Sequence, residues 1–352
     1  MSDNEIFWDR MWDKICELDS STDYYSTVED FTGVWGNEWG IPRLSTDLIL
    51  SILSHLWDES GKKSLFNEFR NFEPILQRDE KYRDHFIHSL NVFLMGYYIL
   101  NKLCSNEELN RIFRRSNSPN LTWMLASTFH DIAYPLQNID FWINDVLSIF
   151  IGINPHISIS ITNLMPPIYD HFIQQISKEN SAPLHGLSDS SENSIDWKFY
   201  NLLNEKMYEK DHGVYSGLIL AHKLAIREGF YERSGLYGDF PINHLPACHA
   251  ICCHSLDCAI SFNKHPYAFL LKLCDEIQDW GRPSKLDDRE VITLRNIEII
   301  MNSKPILNIS LNITEEREKK LKVNLSPILM ITDDKLQIKF INQKRNIFHE
   351  LI

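Results

Sequence analysis

The sequence predicts a mainly α-helical protein that ends in a small antiparallel β segment. Three observations carry this. Apolar residues recur at three- and four-residue spacing through most of the first 285 positions, the pattern of helices with one buried face. Over the last fifty residues the period switches to two, as in half-buried strands. The chain has 352 residues, 43% hydrophobic and 24% charged, so it is globular and long enough for one large domain or two ordinary ones.

Residues 1–80 form a first helical segment. Ile6, Trp8, Met11, Trp12, Ile15 and Leu18 fall at roughly helical spacing, and Gly36 and Gly40 mark a loop. Ser45-Thr46-Asp47 is placed to cap the next helix, which carries Leu48, Leu50, Ile52, Leu53 and Leu56. Residues 81–285 form the main domain. His85 to Leu103 and Leu121 to Leu136 read as buried helices. An insertion at about 140–200 follows, with a polar surface loop or lid expected from Ser177 to Asp196. Helical patterning resumes at Trp197, and Glu232 to Pro246 is rich in Gly and Pro and reads as irregular. Two more helices are expected at about 247–262 and 266–280.

Residues 286–352 form a β-rich appendage. Leu307, Ile309, Leu311 and Ile313 alternate with polar residues. So do Leu321, Val323 and Leu325, and Leu336, Ile338 and Phe340. Three antiparallel strands follow from this, with Asp333-Asp334 near a turn, and residues 290–304 read equally as helix or strand.

Charge narrows the function. Lys plus Arg is 35 against 48 Asp plus Glu, a net charge of −13, so long nucleic acid is disfavoured as a partner. The seven cysteines are odd in number and make no C-x-x-C pairs, as expected of small core residues in a reducing compartment. The start, Met1-Ser2-Asp3-Asn4-Glu5, lacks a basic segment followed by an apolar run. The most apolar stretch, Phe141 to Leu164, is interrupted by Asn144, Asp145, Asn154, Pro155 and His156. A cytoplasmic protein with no membrane partner is the expectation. Acidic helical chains of this size often dimerise, so self-association is open to test.

The chemistry concentrates in five strings. Phe129-His130-Asp131-Ile132-Ala133-Tyr134-Pro135 places two ionisable groups at the end of an apolar helix, where they must pair or bind metal. Arg83-Asp84-His85-Phe86-Ile87-His88 opens another apolar helix, with His85 and His88 on one face. Asp211-His212-Gly213-Val214-Tyr215-Ser216-Gly217 follows downstream. Cys252-Cys253-His254-Ser255 ends a third apolar run, and Cys274-Asp275-Glu276 lies on a fourth. Imidazoles and carboxylates on separate buried helices are how a helical bundle builds a metal site, and the mixture suits first-row transition metals better than calcium.

These strings resemble the HD-domain superfamily of metal-dependent phosphohydrolases, in the order His88, His130-Asp131, then Asp275. The two further histidines, His212 and His254, resemble members that hold two metals bridged by the Asp of the pair. The resemblance covers about residues 81–285. It implies an HD-domain helical bundle and a metal set of His88, His130, Asp131, His212, His254 and Asp275. It also implies one or two divalent ions per chain, of Mn, Fe, Zn, Ni, Co or Mg. No Gly-Tyr-Pro string follows the late His, which disfavours the cyclic-dinucleotide branch. The long separation of Asp131 from His212 makes substrate inference from compact members unsafe.

A bound metal would lower the pKa of water for attack on phosphorus, with Asp131 bridging. Arg83, Lys210 and Arg282 are candidate phosphate clamps, against the plain reading of solvated charges or caps. His85 is a candidate acid or a support for the ligands. His249 lies five residues before His254, about 140° round a helix, and reads as a satisfied core histidine. Tyr134, Tyr215 and Trp280 are candidates for stacking on a base, with core packing as their default. The substrate expected is a small phosphorylated molecule, most simply a nucleotide. Two other readings use the same residues: a di-iron oxygenase, and a regulatory module that binds a nucleotide without turnover.

Overall fold

The computed structural model describes residues 85–113, 119–137, 139–152, 168–181, 194–227, 244–278, 293–301, 305–329, 336–342 and 347–350. The expectations for residues 1–80, for Arg83 and for the 279–292 segment with Trp280 and Arg282 lie outside them. The described residues are mainly helical, with a small sheet near the C-terminal end. None of the described helices is long and apolar enough to cross a membrane. The chain divides into two units, one of residues 1–128 and 258–352, the other of residues 129–257.

In the first unit, α1 (His85–Cys104), α2 (Glu107–Phe113) and α3 (Pro119–Phe129, up to Thr128) precede α10 (Pro266–Ile277). The α1 core face is Val92, Met95, Ile99, Leu100 and Leu103. Burying side chains of this kind contributes about 1.5–3 kcal/mol each. Gly96 lets α3 come close: a Cβ there would lie 1.8 Å from the Trp123 ring. Trp123 is fully buried and donates its indole N–H to the Phe93 carbonyl at 2.9 Å. Phe113, Phe262, Tyr267 and Phe269 pack edge to face, and the Tyr267 hydroxyl donates to the Phe113 carbonyl at 2.8 Å.

The same unit holds the C-terminal sheet. Its strands are β1 (Thr293–Ile300), β2 (Ile306–Asn312), β3 (Gln337–Asn342) and β4 (Ile347–Glu350), in that spatial order. The β1–β2 and β3–β4 pairs are antiparallel and β2–β3 is parallel. Ile297, Ile309 and Phe340 stand in one row across it, and all three are buried.

Three expectations change here. The ambiguous 290–304 region contains a strand. The sheet is mixed rather than antiparallel. And Leu321, Val323 and Leu325 lie on α11 (Glu315–Leu329), not on a strand. The reason is legible in the neighbours. Leu321, Leu325 and Ile328 are buried at i, i+4 and i+7, while Val323 is 69% exposed. Glu315, Glu316 and Glu318 occupy the first turn, and Glu315–Lys319 and Glu318–Lys322 pair at i, i+4. With a helix between β2 and β3, parallel pairing is the natural outcome, because a parallel pair needs a long crossover.

The second unit carries α4 (Tyr134–Gln137), α5 (Ile139–Ile151), α6 (Ile168–Ser181), α7 (Trp197–Tyr208), α8 (His212–Arg227) and α9 (Leu245–His254). Every residue of α9 is buried, so this helix is the centre of the unit. It is shorter than the 247–262 expected, ending at His254. On α8, Gly217 permits the close approach of α9: a Cβ there would lie 2.4 Å from Cys252 Sγ and 2.8 Å from the Cys248 carbonyl. The start of the expected lid, Ser177 to Ser181, is helix instead, with Ser177 buried. Helix α6 runs to Ser181 and buries Phe172, Ile173, Ile176 and Ser177. Residues 182–193 lie outside the described residues. Asp196 caps α7 by accepting the Phe199 N–H at 3.0 Å.

Candidate metal centre

Helix α3 stops at Phe129, and the turn after it presents His130 and Asp131. The turn is held by backbone bonds from Ile132 N–H to the Phe129 carbonyl and from Tyr134 N–H to the Asp131 carbonyl. The Ala133 N–H, which no helix satisfies, donates to Ser216 Oγ of α8 at 3.0 Å. That bond places the His-Asp pair beside the start of α8, where His212 sits.

Four of the expected ligands meet in the second unit. Asp131 Oδ2 lies 3.6 Å from His130 Nε2. Asp131 Oδ1 lies 3.4 Å from His212 Nε2 and 3.6 Å from His254 Nε2. The two oxygens of one carboxylate thus face different imidazoles. The His254 ring sits edge to face with His130 and with His212, at centroid separations of 5.1 and 5.2 Å. His130 and His254 are buried.

The donor set fits a metal ion. One ligand atom each from His130, Asp131 and His254 lie within 4.8 Å of one another, and these histidine and aspartate groups can hold an ion. The tautomer of His254 agrees. Its Nδ1 lies 2.6 Å from the Ile251 carbonyl, which can only accept, so Nδ1 carries a proton and Nε2 is the nitrogen turned toward Asp131.

The first unit holds the other two expected ligands as a pair of their own. His88 on α1 and Asp275 on α10 stand 3.1 Å apart, Nε2 to Oδ1, with His88 buried. Beside them Asn91 donates to the Gln278 carbonyl at 3.4 Å. Glu276, next to Asp275, accepts from Asn324 of α11 at 2.8 Å, and burial first, then the Asp275 charge, raises its pKa.

The remaining candidates are spread out. The backbone of His85 opens α1. Lys210 forms an ion pair with Asp140, both largely buried, and stands at φ +59° where α7 turns into α8. Arg83 and Arg282 lie outside the described residues. Tyr215 is fully buried, its hydroxyl donating to the Met207 carbonyl at 3.1 Å, and burial pushes its pKa up to about 12. It is a core residue. Tyr134 meets the His212 ring at 5.9 Å. His249 is buried, with Nε2 3.1 Å from Asn180 Oδ1. Sequence reasoning passed over Asp211 and Ser255, although both flank predicted ligands. Their signal was a short polar side chain at each helix end.

No family model, no curated protein and no solved structure matches the chain.

Proposed function

We propose that the chain is a metal-dependent phosphohydrolase of the HD-domain kind, acting on a nucleotide or a related small phosphorylated molecule. One observation supports it most: Asp131 turns one oxygen to His130 and the other to His212 and His254. A carboxylate so divided can serve two ions at once. His130 would bind one of them, and His212 with His254 the other. The family resemblance assigns His88 and Asp275 to the same chemistry.

A bound divalent ion supplies a more acidic water near neutral pH and neutralises charge on phosphoryl oxygens. The protein's part is to hold the ligands in the binding state. Asp131 must be ionised and each imidazole neutral to ligate, and the Ile251 carbonyl directs the Nδ1 proton of His254 away from Asp131. Metal retention and turnover therefore weaken together in acid. Arg83 and Arg282 remain clamp candidates. Lys210 would have to leave Asp140 to join them. The net charge of −13 favours a small substrate over a long polyanion.

The test starts from metal-free full-length protein, reloaded separately with Mn, Fe, Co, Ni, Zn or Mg. Each form is offered a panel of nucleotides and phosphoesters, with Asp131→Ala as the control. Phosphate release by the wild type and none by the variant is the expected result. Metal-loaded wild type that leaves the whole panel untouched would overturn the proposal. Oxygen uptake with iron alone would turn it into an oxygenase.

A further inference from the structure

Three helix ends converge on Asp211. Its backbone N–H bonds to the Lys206 carbonyl and the Lys210 N–H to the Met207 carbonyl, at 3.0 and 3.2 Å, which closes the C-terminus of α7. Its side chain opens α8: Oδ1 accepts the Val214 N–H at 2.9 Å. The same oxygen accepts the Ser255 hydroxyl at 2.6 Å, and Ser255 caps the end of α9. The residue after Asp211 is His212, and the residue before Ser255 is His254.

Gly213 makes this junction sterically accessible. A Cβ at Gly213 would lie 2.2 Å from Ser255 Oγ and 2.8 Å from His254 Cε1. The start of α8 therefore rests directly on the end of α9. Two imidazoles from different helices reach the same Asp131 oxygen, at 3.4 and 3.6 Å. Neither helix alone fixes the distance between them; the Ser255 hydroxyl to Asp211 bond crosses between their ends, beside a longer contact from Cys252 Sγ to the Val214 carbonyl at 3.9 Å.

We propose that Asp211 is a positioning residue, which sets the separation of His212 and His254 through Ser255 and so presets the metal site. This rests on the metal reading above. Asp211 acts through its bonds to Val214 and Ser255, beside the two histidines. It acts as a hydrogen-bond acceptor of fixed direction, so an amide oxygen in its place should serve and a methyl group should not. Removing hydrogen-bonded supports of metal ligands typically lowers metal affinity by roughly 10–100-fold.

The experiment titrates Co(II) into metal-free full-length protein and follows both affinity and the visible absorption band. Asp211→Ala is expected to lower affinity by about 10–100-fold and shift the band. Asp211→Asn is expected to restore both, and Ser255→Ala to lose affinity while keeping the α8 cap. A folded Asp211→Ala with wild-type affinity and band would overturn the proposal. If Asp211→Ala does not fold, Ser255→Ala decides, and wild-type binding there would overturn it equally. Wild type that binds no Co(II) would sink the metal reading first, and the positioning role with it. Wild-type binding with unchanged variants sinks the positioning role alone.

Discussion

The end of α8–α9 and the C-terminal helix α11 both place charged groups beside a buried apolar stripe, yet they treat them differently. On α11 Glu315 and Glu318 find their partners four residues away on the same helix, Glu318 with Lys322 at 3.0 Å. At α8–α9 a single carboxylate, Asp131, serves imidazoles supplied by three separate segments. A surface i, i+4 pair is a local matter worth about 0.3–0.5 kcal/mol. The Asp131 cluster is a product of tertiary folding, and its polar groups gather where apolar packing would otherwise be cheaper. Such a convergence could hold a metal ion, which the α11 pairs could not.

The comparison can be broken most severely at Asp131. Asp131→Ala should strip the full-length chain of bound metal, read by elemental analysis after anaerobic purification. Glu318→Ala should leave metal content unchanged. Equal metal in wild type and Asp131→Ala would reduce the cluster to another ion-pair group.

Packing comes next. Leu325→Ala on α11 removes a fully buried side chain and should cost about 2–5 kcal/mol in denaturant unfolding. Gly217→Ala on α8 pushes a methyl group into Cys252 and the Cys248 backbone. Its expected cost is about 1–3 kcal/mol. It should also weaken metal retention, which Leu325→Ala should not, since Gly217 sets the approach of two ligand-bearing helices.

A pH titration sharpens the same contrast. Burial holds the Tyr215 phenol protonated up to about pH 12, whereas an exposed tyrosine releases its proton near 10.0. The folded state thus binds this proton more tightly than the unfolded chain. Its contribution is whole below pH 10.0 and is lost as pH rises toward 12. Tyr215→Phe should flatten the alkaline fall of stability over that window, measured by unfolding at stepped pH. An unchanged alkaline limb would mean that other groups govern it.

The smallest effect separates helix from strand at residue 323. Val323 is exposed on α11, so Val323→Ala should raise stability by about 0.5 kcal/mol through helix propensity. In a strand the same change would lower it.

Much of the local structure was legible in the sequence. Apolar spacing located α1, α7 and α10, and the polar Asp196 marked the start of α7. The His-Asp string was placed at the end of an apolar helix, and the turn after Phe129 puts it there; the helix expected to reach Leu136 is broken by that turn. The misreading of α11 shows the limit of periodicity. Leu321, Val323 and Leu325 alternate as a strand would, but the stripe actually used is Leu321, Leu325 and Ile328. Three residues at spacing two fit both templates, and the acidic first turn with its i, i+4 pairs was the better witness.

By itself, the sequence determined the types of the candidate ligands, their order, and the apolar helices that carry them. Spacing along a chain fixes which face of its own helix a residue occupies, because that follows from backbone geometry. It does not fix the distance between residues on different helices. Only the tertiary structure could divide the two oxygens of Asp131 between His130 and the His212–His254 pair. Only it could show Lys210 engaged with Asp140, Tyr215 in the core, or Asp211 joining the ends of three helices. Those outcomes depend on how closely helices approach, and that is set by small residues such as Gly213 and Gly217 packing against partners far away in the chain.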